Sequence, residues 1–578
     1  MIPGFQYPLG RCAASQPTIS QYGQHGAVHW TQERLWAAVD GFRRLIEART
    51  RPGTLVLVVS DTRPVALALF LAGIAAGRLV SFFPPQNPIQ DADHFTHQQR
   101  AAIGRIDPGL VLVTAAGMRD ALTAISPELG PRILLCDTEP PSGAWERGRA
   151  AFLAQLADVE AARPLFVQHS SGTTGVKKAC AIGADQLRAQ FESYWCRTVR
   201  HALSETPRIA TWLPLYHDMG LVATFLLPLL DGAPIAFVDP FEWVGKPQQF
   251  LDVIAAERPS LCWMPNFAFR HYVRLQRFLR QRDLSSVRAW VNCSEPCRAL
   301  DAQAFEDGFA AWGVISGSVV GCYAMAETVF AATQAVPGRR LSLAAPSSIM
   351  PGQAVGPERL REGRLADEAG QDAKLVLSSG PALPGAEVRA YVDGMPAGHG
   401  TYGELGIRAP FNFHGYRGRT AAESGLLADG TYMTGDLGVV LEGEVFVFGR
   451  LKEIIIVSGK NLHAGDVEAA ASGIAGIKPG RAVAFGVENA ATGTEDLVVI
   501  AERDPKVEAP PDALRAELTR VLHGLFLVSP HDVRIVESRW LVKSTSGKVS
   551  RDANRTKYLA ERHGRAAPEA PQRQDDAA

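Results

Sequence analysis

The chain has little that would tie it to a membrane, to nucleic acid or to a structural metal. Its strongest apolar stretch, Val65 to Ala76, is too short to span a bilayer and is flanked by Arg63 and Arg78. It reads instead as a buried helix between strands at Leu55–Val59 and Leu79–Phe83. Net charge is nearly absent: Lys+Arg 59 against Asp+Glu 60 leaves -1, so there is no global drive toward nucleic acid or anionic lipid. The 8 cysteines are scattered, with no CxxC pair. Cys293 and Cys297 could share a helical face, but no His-rich cluster lies nearby in sequence. Structural zinc is not expected; reduced thiols in a cytoplasmic enzyme are. The first residues, Met1-Ile2-Pro3-Gly4-Phe5, lack a basic region followed by an apolar run, so no signal peptide is expected. Without export, the sequons Asn292-Cys293-Ser294 and Asn554-Arg555-Thr556 carry no argument.

What is present is a long chain of ordinary globular composition. At 578 residues, with 46% hydrophobic and 21% charged residues, it exceeds a single core and calls for two or more domains. From Leu55 to Phe237, short aliphatic runs alternate with amphipathic segments, as at Leu110–Val113, Arg132–Leu135, Leu165–Gln168 and Ile235–Val238. That alternation predicts α/β layers with mostly parallel strands. From Leu375 to Val447 the texture changes to short strands and Gly-rich turns, which predicts a β-rich subdomain. Asn461 to Val536 restarts the alternation, with helices at Asp466–Ala471 and Ala513–Leu525 and strands at Ala482–Gly486 and Leu497–Ala501. This predicts a small second domain of α+β character. The tail from Arg565 is Pro-, Ala-, Gln- and Asp-rich and is expected to be disordered.

One short segment carries chemistry: Gln168-His169-Ser170-Ser171-Gly172-Thr173-Thr174-Gly175-Val176-Lys177-Lys178. Glycines let successive N–H groups converge on an anion. Ser and Thr add donors, and Lys178 adds a compact positive charge that can follow a departing phosphate. Taken alone, a polar surface turn explains these residues equally well. The segment is not a Walker A loop, because the glycine spacing differs and no Ser or Thr follows Lys178. A helix is expected directly after it, from Ala184, with Asp185 as its cap.

Five further segments follow in order. They are Trp212-Leu213-Pro214-Leu215-Tyr216-His217-Asp218-Met219-Gly220, Gly321-Cys322-Tyr323-Ala324-Met325-Ala326-Glu327-Thr328, Tyr432-Met433-Thr434-Gly435-Asp436, Gly449-Arg450-Leu451-Lys452-Glu453-Ile454-Ile455, and Lys543-Ser544-Thr545-Ser546-Gly547-Lys548-Val549-Ser550-Arg551. Together with the opening loop they resemble the motifs of the adenylate-forming superfamily, which includes acyl-CoA synthetases, peptide-synthetase adenylation domains and luciferases. Any one motif is weak; six in family order form a context test. The segments Pro265-Asn266-Phe267-Ala268 and Leu377 to Gly385, with the extended connection from Gln334 to Lys374, most resemble the fatty acyl-AMP ligase branch.

The resemblance implies an N-terminal adenylation domain at 1–450, a C-terminal lid at 451–563 and a tail at 564–578. It implies ATP and Mg²⁺ as cofactors. The Ser170–Lys178 loop (Ser170, Ser171, Gly172, Thr173, Thr174, Gly175, Lys178) would hold the β- and γ-phosphates, and Tyr323 would flank the adenine. Glu327 would bind Mg²⁺, while Asp436 and Arg450 would serve the ribose. Lys548 would stabilise charge between the carboxylate and the α-phosphate, and Lys452 would be the hinge. His217, Trp263, Met264, Asn266 and Phe267 would line the acid pocket, with His217 also a candidate for catalysis. A second nucleophile would be served near Gly459–Asn461.

Each position has a plainer reading. Asp436 could be a turn aspartate, Tyr323 ordinary core, Glu327 a helix-entry carboxylate, Lys548 a solvated lysine and His217 a structural histidine. The sequence also departs from the family pattern. Lys177 stands where proline is usual, Ala179 where glycine is frequent, and Ala324 where glycine usually follows the tyrosine.

Trp263-Met264 replaces the small residues of long-chain members. If both side chains enter the pocket, they shorten it and favour a small or aromatic acid. The acceptor stays open among a carrier-protein thiol, CoA and an amine. Loading of a carrier with a fatty acyl group, activation of nitrite for diazotisation of an arylamine, and a non-catalytic nucleotide-binding protein are the competing functions. No nucleic acid or membrane span is expected.

Overall fold

A computed structural model describes residues 6–562 except 24–25, 86–98, 101, 105, 141–142, 159–162, 171–177, 204–205, 296, 347–348, 364–372, 458–459, 490–493 and 544–547. The described residues form two compact units, one reaching Phe448 and the other starting at Gly449. The tail lies outside the described residues.

Two large sheets organise the first unit. One runs in the spatial order Ile133–Leu135, Leu110–Val113, Leu55–Val59, Leu79–Phe83, Pro164–Ser170, Lys178–Gly183. Its inner strands are parallel, and Leu55–Val59, Leu79–Phe83 and Leu110–Val113 are buried along their whole length. Burial on both faces is why these strands read as unbroken aliphatic runs rather than as alternation. The apolar helix between the first two, Pro64–Ala75, is a buried core helix.

The last pair of strands is antiparallel, with Ser170 opposite Lys178. A strand, Lys178–Gly183, therefore separates the Gly-rich segment from the helix Ala184–Gln190, where direct entry into a helix was expected. Asp185 is not the cap of that helix. Gly183 takes the cap position, with its N–H donated to Gln186 Oε1 at 2.7 Å, and Asp185 instead meets His414 at 3.2 Å.

The other large sheet follows the order Ala331–Gln334, Val319–Ala324, Ala289–Cys293, Leu261–Pro265, Ile209–Thr211, Ile235–Val238, Pro17–Gly23, Gly26–Thr31. Its centre is parallel and both ends are closed by antiparallel pairs. The connection from Gln334 to Lys374 is not a bare loop. It contributes Leu341–Pro346, the centre of a three-stranded antiparallel sheet, with Leu360–Glu362 on one side and Ala373–Leu377 on the other. The β-rich region is a five-stranded sheet running from Met395–Pro396 through Glu387–Val392, Gly403–Arg408 and Tyr432–Leu441 to Glu444–Arg450.

The second unit packs helices Ala464–Ser472, Pro511–Phe526 and Arg551–Arg562 with a sheet of Ile477–Asn489, Thr494–Arg503 and Asp532–Val536. Alternation along its central strand feeds two cores, one holding Val499 and Ala501, the other Val498 and Ile500.

Candidate active site

On the first unit, strand ends and tight turns converge several of the expected residues. Tyr323, near the end of strand Val319–Ala324, is buried and donates its hydroxyl to Asp436 Oδ2 at 2.7 Å. Asp436 sits midway along strand Tyr432–Leu441, beside an irregularity in its pairing with Gly403–Arg408. Its turn is held by Asp436 N–H to Thr434 Oγ1 at 3.0 Å and Gly435 N–H to Glu404 Oε1 at 2.9 Å. Burial, with the Asp436 charge beside it, drives the Tyr323 phenol well above its ordinary pKa, so it stays a proton donor.

Glu327 lies in the 3₁₀ turn Ala326–Thr328 and is buried. Its Oε1 accepts from Tyr416 Oη at 2.6 Å, and Tyr432 Oη lies 3.2 Å from the same phenol. Lys178 Nζ reaches Tyr416 Oη at 3.5 Å and stands 4.6 Å from the centre of its ring, within cation–π range. The turn is tight: Val329 has φ 64°, the left-handed region that a β-branched residue rarely enters. Phe330 N–H closes it on Thr328 O at 2.7 Å, and Gln168 Nε2 donates to Val329 O at 2.9 Å. Such strain persists where surrounding bonds over-determine it. Here those bonds join the carboxylate's turn to the strand that leads into the Gly-rich segment. Of that segment, Ser170 ends its strand opposite Lys178, while Ser171, Gly172, Thr173, Thr174 and Gly175 lie outside the described residues.

His217 begins a helical stretch, accepting Leu221 N–H at 2.8 Å, with its ring 5.0 Å from that of Tyr216. Trp263 and Met264 are consecutive residues of the buried strand Leu261–Pro265. Successive strand residues point to opposite faces, so the expectation that both enter one pocket is overturned. Trp263 Nε1 donates to Tyr194 Oη at 3.0 Å, and that hydroxyl donates to Gln334 Oε1 at 2.6 Å. Asn266 is committed to the protein: Nδ2 donates to Asp301 Oδ2 at 2.7 Å, and Oδ1 accepts from Asn292 Nδ2 at 2.9 Å and Arg298 N–H at 3.2 Å. Phe267 is 43% exposed and stands edge-on to Trp212 and Trp243, which stack with centres 3.6 Å apart.

On the second unit, Arg450 ends its strand and Lys452 sits in the turn Leu451–Glu453, both exposed. Lys548 is half-buried beside Val549, which bridges to Lys543. Three residues on, Arg551 forks onto Glu468 through Nε–Oε1 and Nη2–Oε2, each 2.7 Å, and reaches Glu453 at 2.6 Å. One guanidinium thus ties the Lys548 segment to the Lys452 turn. Gly459 lies outside the described residues.

The model of the AMP-binding enzyme family matches residues 11–417. The chain belongs to that family. It is 27% identical to a long-chain-fatty-acid–AMP ligase of Mycolicibacterium smegmatis, over 91% of this chain and 89% of the relative. It is 30% identical to a 4-hydroxyphenylalkanoate adenylyltransferase of Mycobacterium tuberculosis, over 68% of this chain and 65% of the relative. Among solved structures, a fatty acyl-adenylate ligase from work on the E. coli and L. pneumophila enzymes superposes with a TM-score of 0.78 at 22% identity, covering 97% of this chain and 99% of that one. The protein is thus an ATP-dependent adenylate-forming ligase that makes an acyl-AMP. No helix among the described residues is long and apolar enough to cross a membrane.

The donor set fits Mg²⁺ that arrives with a triphosphate. Among the described residues no group of three or more His, Cys, Asp or Glu side chains could hold a metal, and Glu327 is one buried carboxylate among hydroxyls. Mg²⁺ keeps several waters and takes one or two carboxylates plus phosphate oxygens.

The sequence reading gave no role to three of these residues. Tyr432 lay inside a quoted motif, and so did Arg551. Tyr416 lay in none; its only signal was the cluster Phe411, Phe413 and Tyr416 about Gly415, an aromatic set in a turn region.

Proposed function

We propose that this ligase activates a small or aromatic carboxylic acid and passes it to a thiol or amine. A carboxylate oxygen bonds to the α-phosphorus of ATP as the α–β bridging P–O bond breaks and pyrophosphate leaves. The acceptor then bonds to the acyl carbon, AMP departs with the electron pair, and the acceptor's proton passes to solvent. The observation that carries the residue assignments is twofold: Tyr416 joins Lys178, Glu327 and Tyr432, and Tyr323 holds Asp436. Lys178 and the Gly-rich segment take the β- and γ-phosphates, Tyr323 the adenine and Asp436 the ribose hydroxyls. Glu327 would hold Mg²⁺, which when bound neutralises charge on the phosphates. Lys548 supplies the positive charge that the transition state gathers, and Lys452 is the hinge. The acceptor is a carrier-protein thiol, CoA or an amine.

The size preference now rests on Trp263 alone. Its indole is fully buried and bonded to Tyr194. The relative acting on 4-hydroxyphenylalkanoates supports an aryl acid. The second reading, a long-chain acid, is favoured by the long-chain relative.

ATP–pyrophosphate exchange over fatty, aryl and amino acids, with nitrite, tests the choice. Aryl or short acids are expected to lead, and Trp263→Gly to shift acceptance toward longer chains. Efficient exchange with laurate while aryl acids stay inert would end the small-acid reading.

A further inference from the structure

Tyr416 stands where the charged groups of the site meet. A phenol has one proton and two lone pairs to deploy. The Glu327 carboxylate can only accept, so the Tyr416 proton goes to Oε1, 2.6 Å away. Tyr432 must then donate into the Tyr416 oxygen at 3.2 Å, and Lys178 donates there at 3.5 Å. The hydrogen bonds therefore run one way, from ammonium and phenol through Tyr416 to the carboxylate.

The backbone around Tyr416 is fixed to both partners. Phe413 N–H donates to Glu327 O at 2.8 Å, and Arg417 N–H to Ala179 O, next to Lys178, at 2.9 Å. Tyr416 N–H is held by Ser424 Oγ at 2.9 Å. Gly415, at φ 132°, makes the bend that only glycine takes easily. A phenol that merely filled space would not need its segment tied to both the Lys178 strand and the Glu327 turn.

We propose that Tyr416 is a positioning residue that aims the Glu327 carboxylate and the Lys178 ammonium together at a metal-bound triphosphate. This rests on the reading of Glu327 and Lys178 as metal and phosphate groups. Held on one oxygen, the two charges keep a fixed separation before nucleotide arrives, so less ordering is left for binding to impose.

Tyr416→Phe keeps the ring and removes the hydroxyl. It is expected to raise the Mg²⁺ concentration for half-maximal pyrophosphate exchange roughly tenfold or more, the scale of a hydrogen bond to a charged group, with KM for the acid unchanged. Binding of Mn²⁺ with ATP, followed by electron paramagnetic resonance, should weaken by a similar factor. In a Glu327→Gln background the same substitution should add nothing further to the metal dependence, because residues acting through one another are not additive. Unchanged metal dependence and Mn²⁺ binding in Tyr416→Phe, or full additivity with Glu327→Gln, would overturn the proposal. If Glu327→Gln alone leaves Mn²⁺·ATP binding intact, the metal reading of Glu327 has failed instead, and the proposal with it. Should Tyr416→Phe fold poorly, Tyr432→Phe strips a donor from the same oxygen and is expected to shift metal dependence the same way by less; no shift there would also count against it.

Discussion

The two units hold their candidate residues by different means. In the first, buried phenols grip the charges: Tyr323 on Asp436, Tyr416 on Glu327 and Lys178. In the second, Lys548 rides on a segment anchored by an ion-pair fork, Arg551 on Glu468 and Glu453. Phenol hydrogen bonds in a buried setting are barely touched by salt, whereas partly exposed ion pairs are screened and reversible. The contrast sets groups held by buried phenols in one unit against a segment held by a salt-sensitive fork in the other.

The largest expected effect is on Lys548→Ala. Removing a charge that acts in the transition state should lower pyrophosphate exchange by roughly 10²–10³-fold, with ATP affinity in calorimetry nearly unchanged. Near-normal exchange would leave the second unit without a catalytic group and break the comparison. Next comes Asp436→Ala, expected to weaken ATP binding by about 1.5–3 kcal/mol, the worth of hydrogen bonds to a charged group. Tyr323→Phe should lose part of that. Equal ATP affinity in all three proteins would refute the nucleotide role of Asp436.

A smaller effect is expected for Arg551→Ala. It should destabilise the second unit by about 2 kcal/mol, seen as faster amide exchange there, with the first unit unaffected. The loss should shrink at high salt; a salt-independent loss would argue that the fork is packing rather than charge.

The first unit also contains ion pairs, but at its frame. Asp40, buried on helix Gln32–Glu47, pairs with Arg43 at 2.8 Å and Arg147 at 2.9 Å. Burial alone would raise its pKa, yet the hydrogen bonds from Arg147 and Arg43 hold it down at about 2, against an ordinary 3.8. A depressed folded-state value means stability that is present above about pH 4 and lost as pH falls toward 2. Asp40→Asn should therefore cost about 2 kcal/mol at neutral pH and flatten the acid limb of thermal unfolding between pH 4 and 2, with ATP affinity untouched. A full acid limb in the variant would show that other carboxylates carry it.

Several elements were legible because their burial is local and repetitive. Leu55–Val59, Leu79–Phe83, Leu110–Val113 and Ile235–Val238 are strands at the expected residues, since a strand buried on both faces must be aliphatic throughout. Pro17–Gly23 and Gly26–Thr31 were not legible. Their Ser, Gln, His and Gly residues carry no aliphatic run, and the strands exist because Pro17–Gly23 pairs with Ile235–Val238, some two hundred residues away. Trp263 and Met264 were read as one wall because adjacency in sequence suggests adjacency in space; a pleated strand turns it into opposition.

By itself, then, the sequence determined the chemistry on offer. The order of its motifs specified an adenylate-forming ligase, and Lys178, Glu327, Tyr323, Asp436 and Lys548 were nameable from residue type and context. Only the tertiary structure decided what holds them. Tyr416 meets Glu327 and Lys178 across 89 and 238 residues of chain, and Arg551 meets Glu468 across 83. A phenol or a guanidinium carries no mark of its distant partner: hydrogen-bond pairing at that separation is set by how strands and turns pack, and packing is a property of the folded chain.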